Sequence, residues 1–179
     1  MASADEATAL GLTAVAALKR GDTREALALI ARGADVDARD DMLDSVLLYA
    51  GAEGMDEVVR AALAAGGDLT VTNRYGGIAV IPASERGHVS TVALLIEAGS
   101  DLDHVNRLGW TALHEAIVLG TGGPAHQEIV RLLLAGGADP RLPDRDGTTP
   151  RELAEQHGWS EIAGLLDTRL REDDRGSGD

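Results

Sequence analysis

The chain has no cysteine and no phenylalanine. Without cysteine there is no disulfide, no thiolate metal site and no cysteine nucleophile, and the redox compartment stays open. Trp110, Trp159, Tyr49 and Tyr75 are the entire aromatic supply of 179 residues. So few large rings suit closely stacked helices with small side chains better than a β-sandwich or barrel, which draw on aromatic and β-branched residues. Lysine occurs once, at Lys19, and 16 basic side chains stand against 30 acidic ones for a formal charge of −14. That balance disfavours nucleic-acid backbones and anionic membrane surfaces, both of which bind through Lys and Arg. No apolar run approaches membrane-spanning length, and the opening "MASADEATALGL" lacks a basic n-region. The expectation is a soluble, cytoplasmic chain.

What the chain does have is alanine, leucine, glycine and a period. The tripeptides at Gly33, Gly66, Gly99 and Gly137 (GAD, GGD, GSD, GAD) lie 33, 33 and 38 residues apart. Aligned on them, "RGDTREALALIARGAD", "EGMDEVVRAALAAGGD", "RGHVSTVALLIEAGSD" and "AHQEIVRLLLAGGAD" each read as polar turn, amphipathic helix and glycine stop. Upstream lie the shorter segments "DSVLLYAGAEG", "GIAVIPASERG", "GWTALHEAIVLG" and "GTTPRELAEQHG". A period of this size marks a stack of supersecondary units, each too small to bury its own apolar face. Thr111 and Thr149 stand where helix N-caps are needed, and Pro150 falls at a first helical position.

"GWTALHEA" and "GTTPRELA" at this period resemble the ankyrin repeat, with its pattern G-x-T-P-L-H-x-A followed by E-I-V-x-L-L-L-x-x-G-A-D. The fourth unit matches best, through Gly109, Thr111, Leu113, His114, Ala116, Glu128 to Val130, Leu132 to Leu134 and Gly137 to Asp139. The resemblance runs from Ala7 to Leu166 and is to the short stand-alone bacterial kind. It implies an all-α ankyrin-repeat solenoid of about five helix-turn-helix units with protruding β-turn tips. One domain spans residues 1–170, with units near 7–39, 40–72, 73–105, 106–143 and 144–170. The charged "REDDRGSGD" at 171–179 is expected to be disordered. Ser45, Val46 and Leu48 replace T, P and H in the second unit, so Leu48 should be buried where a histidine would bridge. Pro82 is tolerated if its helix begins near Ala79.

Candidate chemistry thins out on inspection. His114 and Glu115 begin an H-E-x-x-H pattern, but Val118 stands where the second histidine belongs. The resemblance gives His114 a structural role, tying neighbouring turns, and places His88 and His126 at the start of second helices. "DVDARDDMLD" fails as a calcium loop, with Asp40 at the glycine position and Val46 at the closing glutamate. "VLGTGGPAHQEIV" lacks the lysine and the preceding strand of a phosphate loop. Thr121 to Ala125 are instead the five residues by which 38 exceeds 33, inserted between two helices. Pro124 should start the second helix, and the inserted loop, or an extra helical turn, should cover Val118 and Leu119. Left uncovered, those two form an apolar contact patch at the edge of the groove. No catalytic residue, metal or cofactor is assigned.

The resemblance implies a concave partner-binding face made of turn tips and first helices. The residues carried over are Arg74, Tyr75, Arg107, Trp110 and Arg145 on the tips and Tyr49, Glu85, Arg86 and Glu115 on the helices. Arg74, Arg107 and Arg145 share one tip position and form a basic stripe suited to an acidic segment of a partner protein. The expected protein is a monomeric, non-enzymatic interaction module. Two alternatives remain: an enzyme or small-molecule binder using the concave groove, and an immunity or inhibitor protein whose acidity masks a basic partner.

Overall fold

The structure is a computed structural model and describes residues 3–176. Those residues form helices with no strand: α1 (Ala4–Lys19), α2 (Thr23–Ala31), α3 (Val46–Glu53), α4 (Asp56–Ala64), α5 (Val80–Glu85), α6 (Val89–Glu97), α7 (Ala112–Val118), α8 (Pro124–Gly136), α9 (Pro150–Gln156) and α10 (Ser160–Gly176). The odd-numbered helices touch one another in order and make an inner row; the even-numbered helices make an outer row behind it. No helix among the described residues is long and apolar enough to cross a membrane.

The helices begin where the sequence supplies caps. Ser45, Thr111 and Thr149 each accept the N–H three residues on, which relieves one of the unpaired donors of a helix start. Pro124 and Pro150 take first helical positions. Pro82 falls in the first turn of α5, whose N-cap is Ala79, so its missing N–H has no intrahelical acceptor to lose. Leu48 is buried, as expected of the residue standing in for histidine.

The core between the rows is aliphatic. Leu18, Leu47, Ile81, Leu95, Leu113, Ile129 and Leu166 are sealed from solvent, and no aromatic side chain among the described residues is fully buried. Ala17, Ala50, Ala83, Ala116 and Ala154 recur at the spacing of the repeat, one per inner helix, each with no exposure at all. A methyl at that place is what lets adjacent inner helices approach closely.

The tips are built four times to one plan. Asp40, Asn73, Asn106 and Asp144 each accept through one side-chain oxygen the N–H groups two and four residues on. Each tip also closes with backbone bonds across the same five residues, such as Asn73 N–H to the Gly77 carbonyl and Gly76 N–H to the Asn73 carbonyl. The fourth residue of the tip must take a positive φ. Gly76, Gly109 and Gly147 do so at 74°, 89° and 81°, but the second unit places Leu43 there, at 61°. A left-handed leucine costs roughly 1–2 kcal/mol.

Two expectations are corrected. The segment after Leu170 is not disordered as far as it is described: α10 continues to Gly176, held by an Arg169–Asp173 pair one turn apart and by Arg141, which reaches Asp173 and Asp174. Residues 177–179 of the expected tail lie outside the described residues. The insertion does not cover Leu119. It lengthens α8 at its N-terminus and lays Gly122 over the Trp159 ring of the next unit, where a Cβ would stand 2.6 Å from the indole. Val118 is half-buried against the core and Leu119 remains exposed.

Replacing Leu43 with Gly keeps the backbone bonds of its tip and removes the strain, so the protein should gain about 0.5–1 kcal/mol. Gly109→Ala should cost about 1–3 kcal/mol, because its φ is 89° and the new methyl would meet Arg145 Cγ at 2.3 Å. Urea titration of the two variants checks both; a Leu43→Gly protein no more stable than its parent refutes the strain argument.

Candidate functional site

Where the tips overhang the inner row there is a groove of about 590 Å³. The tips contribute Met42, Asp44, Asn73, Arg74, Tyr75, Asn106 and Leu108; the inner helices and their ends contribute Lys19, Tyr49, Glu53, Ile81, Pro82, Glu85, Arg86, Glu115 and Leu119. Of the residues expected on a binding face, Tyr49, Arg74, Tyr75, Glu85, Arg86 and Glu115 come together here, whereas Arg107, Trp110 and Arg145 do not line the groove. Trp110 is half-buried.

The groove is unusually rich in uncovered apolar surface. Met42 (50%), Tyr75 (53%), Leu108 (47%) and Leu119 (47%) are four of the seven large hydrophobic side chains left exposed among the described residues, and all four line it. Exposed apolar side chains scattered singly need no explanation; gathered into one concavity they mark a contact surface. Leu119 is there because the insertion turns towards Trp159 instead.

The arginines of the tips form a ladder, with Arg74 lining the groove and Arg107 and Arg145 outside it. Arg107 lies across Gly76, donates from its backbone N–H to the Tyr75 carbonyl and from Nη1 to the Arg74 carbonyl. The Arg145 side chain likewise lies across Gly109. Arg74 sits 4.8 Å from the centre of the Tyr75 ring, and the phenol together with the charge of Asp44 raises its pKa further. Among the described residues none of these three arginines has a carboxylate within ion-pair distance.

The other groove cations are engaged. Lys19 bridges Asp40 and Asp44 at 2.7 and 2.6 Å, and Arg86 pairs with Glu53. At the opposite end Glu115 is only 5% exposed and, among the described residues, has no ion pair. Its one hydrogen bond is from Asn106 Nδ2, at 2.6 Å to Oε1. Desolvation first, and the nearby charge of Glu85 second, raise its pKa from 4.5 to about 7 against the opposing Asn106 bond. Asn106 is the functional residue that the sequence reading missed. Its Oδ1 holds the tip and its Nδ2 holds Glu115, a division that the Asp40 and Asp144 of other tips cannot make. The signal was faint: an amide in place of a carboxylate at two tips, Asn73 and Asn106, of which only Asn106 stands nine positions before a glutamate.

The histidines are structural. Nδ1 of His114 accepts from the Thr111 N–H at 3.2 Å and closes a capping box in its own unit, while Nε2 is buried with no hydrogen-bond partner. Burial lowers its pKa, outweighing Asp144 and the Leu142 carbonyl of the next turn. The ties between units come from His88 to the Ala52 carbonyl (3.1 Å) and His126 to the Glu85 carbonyl (2.8 Å), with His104 bound to the Gly76 carbonyl (2.7 Å). No cluster of three metal-ligating side chains occurs among the described residues.

The protonated Glu115 is the form that the fold accommodates. Its contribution to stability is whole below 4.5 and is lost as pH rises through about 7. Glu115→Gln should therefore stabilise the protein above neutrality, by about 3 kcal/mol at most, and make little difference below pH 4.5. Asn106→Asp should cost roughly 2–4 kcal/mol near neutrality, since it sets a second carboxylate against Glu115. Adding Glu115→Gln should restore most of that loss, in a denaturation series run across pH.

Comparison with known proteins bears on the whole array. The family described as "Ankyrin repeats (3 copies)" matches residues 47–144 and 83–171. The ankyrin repeat protein YahD of Escherichia coli (strain K12) is 43% identical over 140 residues, which is 78% of this chain and 70% of that protein. An ankyrin repeat domain from Acinetobacter baumannii AYE superposes with a TM-score of 0.82 at 52% identity, covering 84% of this chain and 77% of its own. The ankyrin repeat protein EF0377 gives 0.81 at 43% identity with the same coverage. With its repeat period, its two helical rows and its four like tips, this chain belongs to the ankyrin repeat family.

Proposed function

We propose that this protein binds a partner protein through the concave groove and the arginine tips beside it, without catalysis. Ankyrin repeats are in general protein-interaction modules. The observation that carries the reading for this chain is the concentration of its exposed apolar side chains in one groove, next to arginines without carboxylate partners. Tyr75 over Arg74 supplies the aromatic and guanidinium chemistry typical of binding hot spots. In a chain with 30 acidic residues, three consecutive tip arginines left unpaired favour an acidic segment of the partner lying along the tips.

A second reading, of a small-molecule binder or enzyme in the groove, draws on the raised pKa of Glu115 beside Glu85. A poised carboxylate is suggestive, but no nucleophile or electrophilic donor converges on it, and the groove is open. A shift in melting temperature with a metabolite library would favour this second reading. The acid surplus also suits an inhibitor that masks a basic partner, and the partner's identity distinguishes that case.

Affinity purification from the native organism, with Leu108→Asp as one variant and the triple change of Arg74, Arg107 and Arg145 to Ala as another, tests the first reading. Loss of the same partner from both variants is expected, with the triple change weakening binding by about tenfold or more. Unchanged recovery by the triple variant sinks the stripe, and unchanged recovery by Leu108→Asp sinks the groove.

A further inference from the structure

Glu115 presents an unsolved problem of charge. It lies on the wall of the groove, 5% exposed, with a single hydrogen bond and no cation. Glu85, which lines the same groove and has no ion pair among the described residues, is near enough for its charge to act on Glu115. Within the groove no cation is spare at this end. Lys19 serves Asp40 and Asp44, Arg86 serves Glu53, and Arg74 stacks on Tyr75. The carboxylates are therefore left to each other.

What stands around them is apolar. Leu119 is one helical turn beyond Glu115 on the same face of the chain, its N–H bonded to the Glu115 carbonyl. Leu108 donates its N–H to Asn106, whose amide holds Glu115, so both half-exposed leucines are fixed relative to the carboxylate. A cation that fits here carries an apolar stem to lie on leucine and a charged head to reach carboxylate. Lysine and arginine side chains have that construction. A bare metal ion does not match as well, because no third ligand joins the two glutamates among the described residues.

We propose that the Glu85–Glu115 pair receives one lysine or arginine side chain of the partner segment, anchoring it in the groove while its acidic residues face the tip arginines. The inference rests on the groove being the partner site. Asn106 is the positioning residue: it keeps one oxygen of Glu115 occupied and the carboxylate fixed before the partner arrives. A cation brought to this place removes both disadvantages that ionised Glu115 suffers, its desolvation without a counter-charge and the repulsion of Glu85. The pair is then a selectivity device, since a partner segment without the basic residue would bury two carboxylates unpaired.

The experiment is selection of a phage-displayed library of random peptides on the full-length protein, followed by affinity measurement on Glu85→Gln, Glu115→Gln and Leu108→Asp. Enriched peptides should share a Lys or Arg and should bind each Gln variant about tenfold more weakly. Changing that basic residue to Met should give the same loss on the parent protein and no further loss on Glu115→Gln. Peptides blocked by Leu108→Asp but indifferent to both Gln variants overturn the basic anchor and leave the groove as the partner site. Peptides indifferent to all three variants, or no enrichment at all, overturn both. Circular dichroism confirms that each variant is folded, and Glu85, half-buried at the groove edge, provides the variant least coupled to folding.

Discussion

Five alanines carry the architecture. Ala17, Ala50, Ala83, Ala116 and Ala154 occupy equivalent places in successive inner helices, and each is wholly enclosed. A larger side chain at such an enclosed place would overpack helices of 6 to 8 residues that stack in order through α3, α5, α7 and α9. These short helices have little stability of their own, since an isolated helix needs roughly 12–15 residues to be even marginal in water. Their order comes from caps at one end and neighbours on both sides. Close stacking in turn puts the tips in register, and registered tips allow Arg107 to lie over Gly76 and Arg145 over Gly109. The groove is what such a stack leaves on the tip side of its inner row.

Two of the four tips carry an amide, Asn73 and Asn106, and the one at Asn106 also holds a groove carboxylate. The tips at Asp40 and Asp144 are held by carboxylates, and a carboxylate suffices for a turn. At Asn106 the same oxygen geometry is kept, but the second half of the group is a donor, and it holds Glu115 against the wall. A glutamate so enclosed without a cation is costly for a domain whose total stability is typically about 5–15 kcal/mol. Sequences retain such groups at sites of use, where local rules are broken in exchange for a function elsewhere in the molecule.

Much of this was legible in the residues. The period, the caps at Thr111 and Thr149 and the helix start at Pro124 follow from spacing and local chemistry, the burial of Leu48 from its place in the resembled repeat, and the structure has them all. The misses share a cause, which is contact between units. The insertion turns to Trp159 rather than Leu119 because Gly122 can lie flat on an indole 37 residues further along. The charged end continues as helix because Arg141, in an earlier loop, reaches its aspartates. His114 caps its own helix as well as meeting the Leu142 carbonyl of the next turn, and His88 and His126 add further ties between units. Glu115 looked exposed by its place in the repeat, and only the neighbouring helices and the Asn106 tip show it to be enclosed. Local signals fix what a unit is; what lies between units has to be seen.

The distribution of ion pairs also bears on what approaches this surface. With 30 acidic and 16 basic residues, a cation left without a carboxylate is not short of acid. Among the described residues the cations near the groove floor are paired and the arginines of the tips are not. The converse holds for Glu115, the groove carboxylate most removed from water, which lacks a cation. Unmatched charges of opposite sign at two separated places on one concave face constrain a bound segment more than either does alone. A segment reversed in direction or shifted by a residue would meet like charge at one place or leave a buried carboxylate bare at the other. In the proposed complex, apolar contacts with Met42, Tyr75, Leu108 and Leu119 would tolerate many sequences and supply attraction, and the unmatched charges would supply rejection; specificity requires both.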